Sequence, residues 1–277
     1  MLRIRPCIDL HNGKVKQIVG SSIRDHSAKV TDNFVSGLDA DYYAALYRDH
    51  GLPGGHIILL NSRQNEPEAY AADLGQARRA LAAFPGGMQI GGGVDPENAS
   101  DFLDMGASHV IVTSYVFRDG RLDGERLEEM LRAVGREHLV LDLSCRRVQS
   151  EEGYSDEDAP QTAPEYRVVT DRWQKLTQLC VTPALLAQLS ERCDEFLIHA
   201  ADVEGKRGGV EKELLKILGE KPQAVPITYA GGVHALGDLQ LIRELSKDRV
   251  DVTVGSALDL FGGTLKLDDL VRCAEKI

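Results

Sequence analysis

Two short motifs of this 277-residue chain each recur about half a chain further along. Gly91-Gly92-Gly93-Val94 is similar to Ala230-Gly231-Gly232-Val233, and Gly92 and Gly231 are 139 residues apart. Ile8-Asp9-Leu10 is similar to Leu141-Asp142-Leu143, and the two aspartates are 133 residues apart. A repeat of this period predicts that one structural unit occurs twice in the fold.

Short apolar strands alternate with amphipathic helices along the chain, and no linker separates two domains. The eight predicted strands are Leu2–Leu10, Gly55–Leu60, Met88–Ile90, Ser108–Thr113, His138–Leu143, Glu195–His199, Pro226–Tyr229 and Val250–Val254. Two halves of four strands each close naturally into a (β/α)₈ barrel, so the repeat favours this fold over an open doubly wound sheet. We therefore expect residues 1–277 to form a single α/β barrel domain.

The segment from residue 149 to residue 166 differs from the rest of the chain. It is acidic, rich in Pro and Ser, and has no hydrophobic periodicity. This composition predicts a solvent-exposed loop insertion in the barrel. Arg167–Leu176, which contains Trp173, is predicted to be a strand that returns after the insertion, and Thr182–Cys193 a helix with Thr182 as its N-cap.

The composition excludes several classes of partner. The net charge is −11, which disfavours a nucleic-acid partner, and no apolar run approaches the ~18 residues of a membrane span. The five cysteines are scattered and form no CxxC pair, which indicates reduced thiols rather than disulfides or a metal cluster. We expect a cytoplasmic protein without a targeting segment. The charge and the lack of an apolar stripe favour a monomer.

Asp9 and Asp142 end the first and fifth predicted strands. In a (β/α)₈ barrel the carboxyl ends of all strands meet at one mouth, so these two side chains are expected to face each other across it. Two carboxylates in different environments can serve as proton acceptor and proton donor. The alternative for each is a structural role, in which it caps a loop or pairs with a cation.

Glycine-containing turns follow the third, seventh and eighth predicted strands, the last of them at Gly255-Ser256. Between a strand and a helix N-terminus, such a turn leaves backbone N–H groups free to bind phosphate, although Gly-Gly alone is also an ordinary turn. The following helices are predicted to begin at Pro96, at His234 and directly after Ser256. Because the turns lie on opposite sides of the mouth, they predict a substrate with a phosphate at each end.

Six segments resemble the isomerase family of histidine biosynthesis, in its eukaryotic form, which converts phosphoribosylformimino-5-aminoimidazole carboxamide ribotide. These segments are RPCIDLHNGKVKQIVG, QIGGGVD, LVLDLSCRR, FLIHAADVEG, YAGGVH and VGSALD. The resemblance extends from Arg5 to about Gly263. It implies a barrel duplicated from half-barrels, an Amadori rearrangement of an aminoaldose to an aminoketose, and no metal or organic cofactor.

The resemblance also implies residue roles. Asp9 would be the general base that removes the C2′ proton, and Asp142 the general acid that protonates the ring oxygen. Trp173 would stack on the aminoimidazole, with a place in the core as the alternative. The residues that would hold one phosphate are Gly92, Gly93 and Ser114, with Ser114 at the start of a predicted helix. Those that would hold the other are Gly231, Gly232, Gly255 and Ser256.

Three positions depart from the bacterial pattern of this family. Ala200-Ala201-Asp202 stands where bacteria have a Thr-Asp pair whose threonine assists catalysis, so either no hydroxyl acts here or Asp202 or His199 takes up its task. His199 also fits a hydrogen-bond donor to the substrate or a histidine satisfied within the core. Asp95 stands where an arginine contacts the ligand, and the aspartate that ends the second strand is replaced within Ile58-Leu59-Leu60.

Two other functions stay open. The cyclase subunit of imidazole glycerol phosphate synthase shares the barrel and both acids, but Gln17-Ile18-Val19 and Val203-Glu204-Gly205 differ from its lysine and Asp-Gly-Thr motifs. A non-catalytic phosphosugar-binding barrel is the other alternative. The presence of both acids favours an enzyme, and the two loop motifs favour the isomerase.

Overall fold

The computed structural model describes residues 2–18, 32–148, 164–206 and 208–277. Eight parallel strands form the barrel wall, and elements are numbered here in chain order. They are β1 (Cys7–His11), β4 (Gly55–Leu59), β5 (Met88–Gly91), β6 (Val110–Val112), β9 (Leu139–Asp142), β13 (Glu195–His199), β14 (Ile227–Ala230) and β15 (Asp251–Thr253). Most of the predicted acidic insertion lies outside the described residues.

The wall closes on itself. Neighbouring strands pair in the order β15-β14-β13-β9-β6-β5-β4-β1. At the two ends of this row, the Arg5 N–H donates to Val252 O (2.8 Å) and the Val252 N–H donates to Arg3 O (3.0 Å). These bonds accompany a parallel bridge between Ile4 and Val252. The predicted (β/α)₈ barrel is therefore confirmed.

One α-helix follows each parallel strand within the described chain. The helices are α1 (Ala40–Asp49), α2 (Pro67–Ala83), α3 (Ala99–Asp104), α4 (Gly124–Val134), α5 (Pro183–Leu189), α6 (Lys212–Leu218), α7 (Gly237–Ser246) and α8 (Leu267–Lys276). Their buried residues recur at helical spacing, as with Leu127, Met130 and Val134 of α4, and face the barrel. No helix in the described ranges is long and apolar enough to cross a membrane.

Antiparallel strands extend the loops that follow β1 and β9. β2 (Lys14–Ile18) and β3 (Asp32–Val35) follow β1 through a tight turn at Asn12-Gly13, where both residues have positive φ. The three strands β10 (Cys145–Val148), β11 (Glu165–Thr170) and β12 (Lys175–Cys180) follow β9 as a separate sheet. A small hairpin, β7 (Phe117–Arg118) and β8 (Arg121–Leu122), precedes α4. The extensions follow the two strands that carry the repeated aspartates, as the duplication predicts.

Two predicted helix starts are too early. The carboxylate of Asp95 accepts from the N–H groups of Glu97 and Asn98, and that of Asp238 accepts from His234 and Ala235. These bonds hold the residues before α3 and α7 in turns, so the helices begin only after them.

Other predicted elements also differ from the structure. The helices predicted at Ser114 and directly after Gly255-Ser256 are wrong, because 3₁₀ turns stand there instead, at Ser114–Val116 and Asp259–Phe261. Helix α6 was not predicted. Glu165 and Tyr166, assigned to the irregular insertion, pair with β10 as the first residues of β11.

The barrel interior has an apolar layer and, toward the amino ends of the strands, a polar one. The apolar cluster consists of Ile58, Ile111, Val140 and Leu197. In the polar layer, the Glu195 carboxylate accepts from Gln89 Nε2 (2.8 Å) and Thr228 Oγ1 (2.5 Å). The Arg5 guanidinium lies 3.7 Å from Glu195 and 2.9 Å from Asp251. This network joins strands from around the barrel, away from the mouth.

Candidate active site

Asp9 and Asp142 lie on opposite sides of the barrel mouth. Three strands, β4, β5 and β6, separate β1 from β9 in one direction, and β13, β14 and β15 separate them in the other. Both aspartates lie near the carboxyl ends of their strands. The arrangement expected from the repeat is therefore present in the structure.

Asp142 accepts three hydrogen bonds. Thr113 Oγ1 donates to Asp142 Oδ2 (2.9 Å), while the backbone N–H of Ser144 (2.8 Å) and the Ser144 hydroxyl both bond Oδ1. The carboxylate is thus fixed from both oxygens. Its contacts come from the end of β6 and from the residues that directly follow β9.

The Ser144 hydroxyl also links Asp142 to His199. Ser144 is fully buried, and its Oγ lies 3.1 Å from His199 Nδ1 and 3.4 Å from the His199 backbone nitrogen. A hydroxyl has one hydrogen, so when Ser144 donates to Asp142 its oxygen must accept from His199. This network assigns the hydrogen of His199 to Nδ1. Asp142, Ser144 and His199 therefore form one hydrogen-bonded chain.

Asp9 has a different environment. Its single side-chain partner in the described residues is Gln17, whose Nε2 donates to Oδ2 at the long distance of 3.4 Å. Asp9 shares a cavity with a second carboxyl group, Glu204. Burial, with a smaller contribution from the Glu204 charge, raises the pKa of Asp9 from 3.8 to about 7. Asp9 is therefore about half ionised at neutral pH.

The cavity at the mouth brings together six of the candidate residues. These are Asp9, His199, Gly231, Gly232, Gly255 and Ser256. His56 lies deeper in the same cavity, where burial and the proximity of His199 lower its pKa to about 3. Gly92, Gly93, Ser114, Asp142, Trp173 and Asp202 do not line this cavity. Asp142 is linked to the cavity through Ser144 and His199, and Trp173 contacts the ring of His199.

The repeated glycine turns have the same backbone conformation. Gly92 and Gly231 have φ of +103° and +122°, and Gly93 and Gly232 have +69° and +77°. At each turn the first glycine lies against a backbone carbonyl oxygen at the carboxyl end of the neighbouring barrel strand, the one that comes earlier in the chain. A Cβ on Gly92 would lie 2.1 Å from Leu59 O. Close packing therefore requires glycine here whether or not the turn binds a ligand.

The turns after β14 and β15 also offer unpaired donors. The N–H groups of Gly232, Val233, Ser256 and Ala257 donate to no acceptor in the described part of the chain. The buried Thr253 Oγ1, on the same wall of the cavity, likewise has no partner among the described residues. Unsatisfied donors that converge on a cavity suit an anionic group.

The turn between β11 and β12, residues 171–174, extends over the mouth, and we refer to it as the strap. Asp171, Arg172 and Trp173 all have left-handed φ, between 52° and 63°. The Asp171 N–H donates to Ser114 Oγ (3.0 Å), and Arg172 Nη2 donates to Glu66 Oε2 (3.1 Å). The Trp173 ring lies 5.5 Å from the His199 ring, centroid to centroid. Trp173 is thus at the mouth rather than in the core.

Two further candidate positions have partners of their own. The Asp202 carboxylate accepts from the Arg147 N–H at 2.9 Å, so it supports β10. Asp95, which replaces the family's arginine, forms an ion pair with Arg63 from the loop after β4.

Four residues at the mouth were not singled out from the sequence as site residues: Gln17, Ser144, Glu204 and Thr253. Ser144 places a hydroxyl beside Asp142 from the segment that directly follows it. The position of Ser144, two residues beyond Asp142, was the one available signal. In the described residues, no three His, Cys, Asp or Glu side chains are grouped as metal ligands.

Comparison with known proteins assigns the family. A family model described as histidine biosynthesis protein matches residues 3–266. The chain belongs to this family. It is 47% identical over 274 residues to a protein of Medicago truncatula named 1-(5-phosphoribosyl)-5-((5-phosphoribosylamino)methylideneamino)imidazole-4-carboxamide isomerase, chloroplastic; the match covers 98% of this chain and 81% of that protein.

Fungal members of the histidine biosynthesis protein family carry the same isomerase name. A Yarrowia lipolytica protein is 42% identical over 285 residues, covering 100% of this chain and 99% of its own length. A Saccharomyces cerevisiae protein is 39% identical over 282 residues with the same coverage. The isomerase family expected from the six motifs is confirmed, and these names do not favour the cyclase.

Proposed function

We propose that this chain is the aldose–ketose isomerase of histidine biosynthesis that its relatives are named for. It converts an aminoaldose ribonucleotide to its aminoketose through an Amadori rearrangement. The observation that carries the proposal is the pair of carboxyl groups, Asp9 and Asp142, at opposite sides of one barrel mouth in different environments. Full-length similarity to proteins with the isomerase name supports it.

Asp9 acts as the general base. A base works best when its pKa lies near the working pH, because it is then ionised and still basic enough to take the proton. Burial, assisted by Glu204, raises the pKa of Asp9 to about 7, which fits this task. Asp9 removes the proton from C2′ after the ring has opened.

Asp142 acts as the general acid and gives its proton to the ring oxygen. Thr113 and Ser144 contact both of its oxygens, so the carboxyl group is held in one orientation. A positioned acid of this kind avoids the entropic cost of aligning a free proton donor. Opposite placement of acid and base suits a sugar that lies between them.

The two glycine turns hold the substrate's phosphates at the two ends. Gly231, Gly232, Gly255 and Ser256 form one phosphate site, supported by the unpaired N–H groups there and by Thr253. Gly92, Gly93 and Ser114 form the other, and Trp173 covers the aminoimidazole. His199 and Asp202 lie at the same mouth, with His199 facing the substrate and Asp202 supporting its loop.

The reaction is acid–base chemistry on one substrate, and the proposal includes no metal or organic cofactor. We also propose a monomer in the cytoplasm. Sedimentation tests whether the protein is a monomer, and the location of a fluorescent fusion tests the compartment. One relative is named chloroplastic, so the compartment differs among family members or is set outside the shared barrel.

The decisive test is turnover of the aminoaldose by the purified protein and two variants. Asp9→Asn and Asp142→Asn are each expected to lower kcat by about 10²–10⁴-fold, because each removes one proton-transfer group. Circular dichroism should remain that of the parent. Near-normal turnover in either variant would contradict its role, and activity only with the cyclase substrate and a glutaminase would favour the cyclase.

A further inference from the structure

The proposed reaction leaves the two acids out of balance after every turnover. Asp142 gives one proton to the ring oxygen, which keeps it as the C4′ hydroxyl, and Asp9 gains one proton from C2′. In the later enol-to-ketone step, the substrate loses a proton from the C2′ hydroxyl and gains one at C1′. This step therefore leaves the proton balance of the two acids unchanged. Before the next substrate can react, Asp9 must therefore lose one proton and Asp142 must gain one.

We propose that Ser144 and His199 form the relay that returns this proton to Asp142. The inference rests on the proposed function, because it follows from the proton balance of that reaction. Its structural basis is the chain Asp142 Oδ1, Ser144 Oγ and His199 Nδ1, in which the second contact is 3.1 Å. His199 lines the cavity that contains Asp9, and Ser144 is fully buried behind it.

The relay moves protons without any other reactant. His199 accepts a proton at Nε2 from the Asp9 side and gives its Nδ1 proton to Ser144 Oγ. At the same time, the Ser144 hydroxyl proton passes to Asp142 Oδ1. Asp142 is then a neutral acid again, and His199 is left neutral with its hydrogen on Nε2. Exchange with solvent and rotation of the Ser144 hydroxyl restore the starting arrangement.

The groups around the relay support proton transfer from His199 toward Asp142. His199 faces Glu204 and the rings of His56 and Trp173. His56 is neutral at working pH, because burial lowers its pKa to about 3, so it neither repels nor replaces a proton on His199. The carboxyl groups of Asp9 and Glu204 lie at the receiving end of the chain, and Asp142 at the delivering end.

Thr113 provides a matched control for Ser144. Both hydroxyls bond Asp142, but the Thr113 hydroxyl contacts Oδ2 and belongs to no bond with His199 in the described residues. Thr113→Ala therefore removes a positioning contact and leaves the relay intact. Ser144→Ala removes a positioning contact and the relay together, and His199→Gln interrupts the relay one step further away.

The experiment is rapid-quench kinetics of the whole chain with the aminoaldose in excess. In Ser144→Ala, the first turnover should be fast, because the variant impairs only the return of a proton to Asp142, and it should give a burst of about one product per site. The following linear phase should be on the order of 10–100-fold slower than in the parent. Added imidazole should speed this phase, because it can carry protons to Asp142 in place of the relay. His199→Gln should behave in the same way.

Thr113→Ala should show a lower rate without a burst and without a response to imidazole. A linear time course in both Ser144→Ala and His199→Gln, or an equal burst and imidazole response in Thr113→Ala, would overturn the relay. Denaturation in urea confirms that each variant is folded. A parent protein that turns over no aminoaldose in any phase would instead contradict the proposed function, so the two failures are distinguishable.

Discussion

Asp9 has few hydrogen-bond donors around its carboxyl group. It has one long amide hydrogen bond from Gln17 and a second carboxyl group, Glu204, in the same cavity. Asp142, at the equivalent place in the other half, has three donors. Two copies of one motif have therefore diverged in environment while keeping the same residue.

This environment predicts the pH dependence of catalysis. Asp9 must be ionised to act as a base, and its pKa is raised to about 7, chiefly by burial and also by Glu204. We expect kcat/KM to rise up to tenfold per pH unit below about pH 6 and to level off above about pH 8. Glu204→Gln removes the negative neighbour and should shift the rise of kcat/KM to lower pH. Glu97→Gln, on an exposed loop, should leave the pH dependence of kcat/KM unchanged. An unchanged pH dependence in Glu204→Gln would contradict the role of Glu204.

The same raised pKa predicts a cost in stability. The folded protein holds the Asp9 proton more tightly than the unfolded chain does, so the stability of the parent falls as pH rises from about 4 to about 7 and is constant above. Asp9→Asn removes this loss and should raise the free energy of unfolding at pH 8 by roughly 1–3 kcal/mol. Urea denaturation at pH 8 and pH 4 measures it. Equal effects at both pH values would argue against the raised pKa.

The repeat located both aspartates and the paired glycine turns, because strand order and barrel closure determine where strand ends meet. Glu204, Ser144 and Thr253 could not be placed in the same way. Their roles depend on how a loop returns over the mouth or on which of two faces a residue presents. The sequence showed that the threonine of the bacterial pattern is absent from Ala200-Ala201-Asp202, but only the structure shows that Ser144 lies beside Asp142.

At the scale of elements, the strap connects parts of the two halves. It follows β9, and it contacts Glu66 in the loop after β4. Three successive left-handed residues without glycine cost about 1 kcal/mol or more each, so outside contacts must hold this turn. Glu66 also accepts from Asn61 and the Ser62 N–H, and is therefore itself fixed. The strap holds Trp173 in place through these contacts.

Arg172→Gln should release the strap without unfolding the barrel. An exposed ion pair contributes about 0–1 kcal/mol, so the free energy of unfolding should change by less than about 1 kcal/mol. Trp173 is the single tryptophan of the chain, so its fluorescence reports the strap alone. We expect acrylamide to quench the Trp173 fluorescence more strongly and the KM for the aminoaldose to rise several-fold. Arg243→Gln, which breaks an exposed pair with Asp248, is the control. Unchanged quenching in Arg172→Gln would exclude a holding role for the Glu66 pair.

Element boundaries were the less predictable part of the fold. Helices α3 and α7 were both predicted, but the turns that Asp95 and Asp238 hold together place their starts later, at Ala99 and Gly237. In the sheet after β9, most residues of β10 and β12 are exposed or half-buried, so their hydrophobic period is weak. Barrel strands, buried on both faces, gave the clearest signal in the sequence.

At the scale of the whole molecule, Arg5 joins the first strand to the last. Its guanidinium is 9% exposed and lies between Asp251 and Glu195. Removal of one partner from a buried ion network leaves uncompensated charge, and Arg5→Met should lower the free energy of unfolding by about 3–5 kcal/mol. Arg79→Met, which breaks exposed pairs with Asp39 and Asp41, should lower the free energy of unfolding far less. Urea denaturation compares them, and equal losses would show that Arg5 is not required for closure.

The bonds of Arg3 and Arg5 with Val252 also have a consequence for synthesis on the ribosome. The amino-terminal edge of the sheet is made first, but its partner strand emerges only after the other barrel strands have been translated. Until then the growing chain exposes an open edge with unpaired backbone groups, which can pair with other chains. The nascent protein is therefore most vulnerable to aggregation just before β15 emerges, when chaperones have the greatest opportunity to shield that edge.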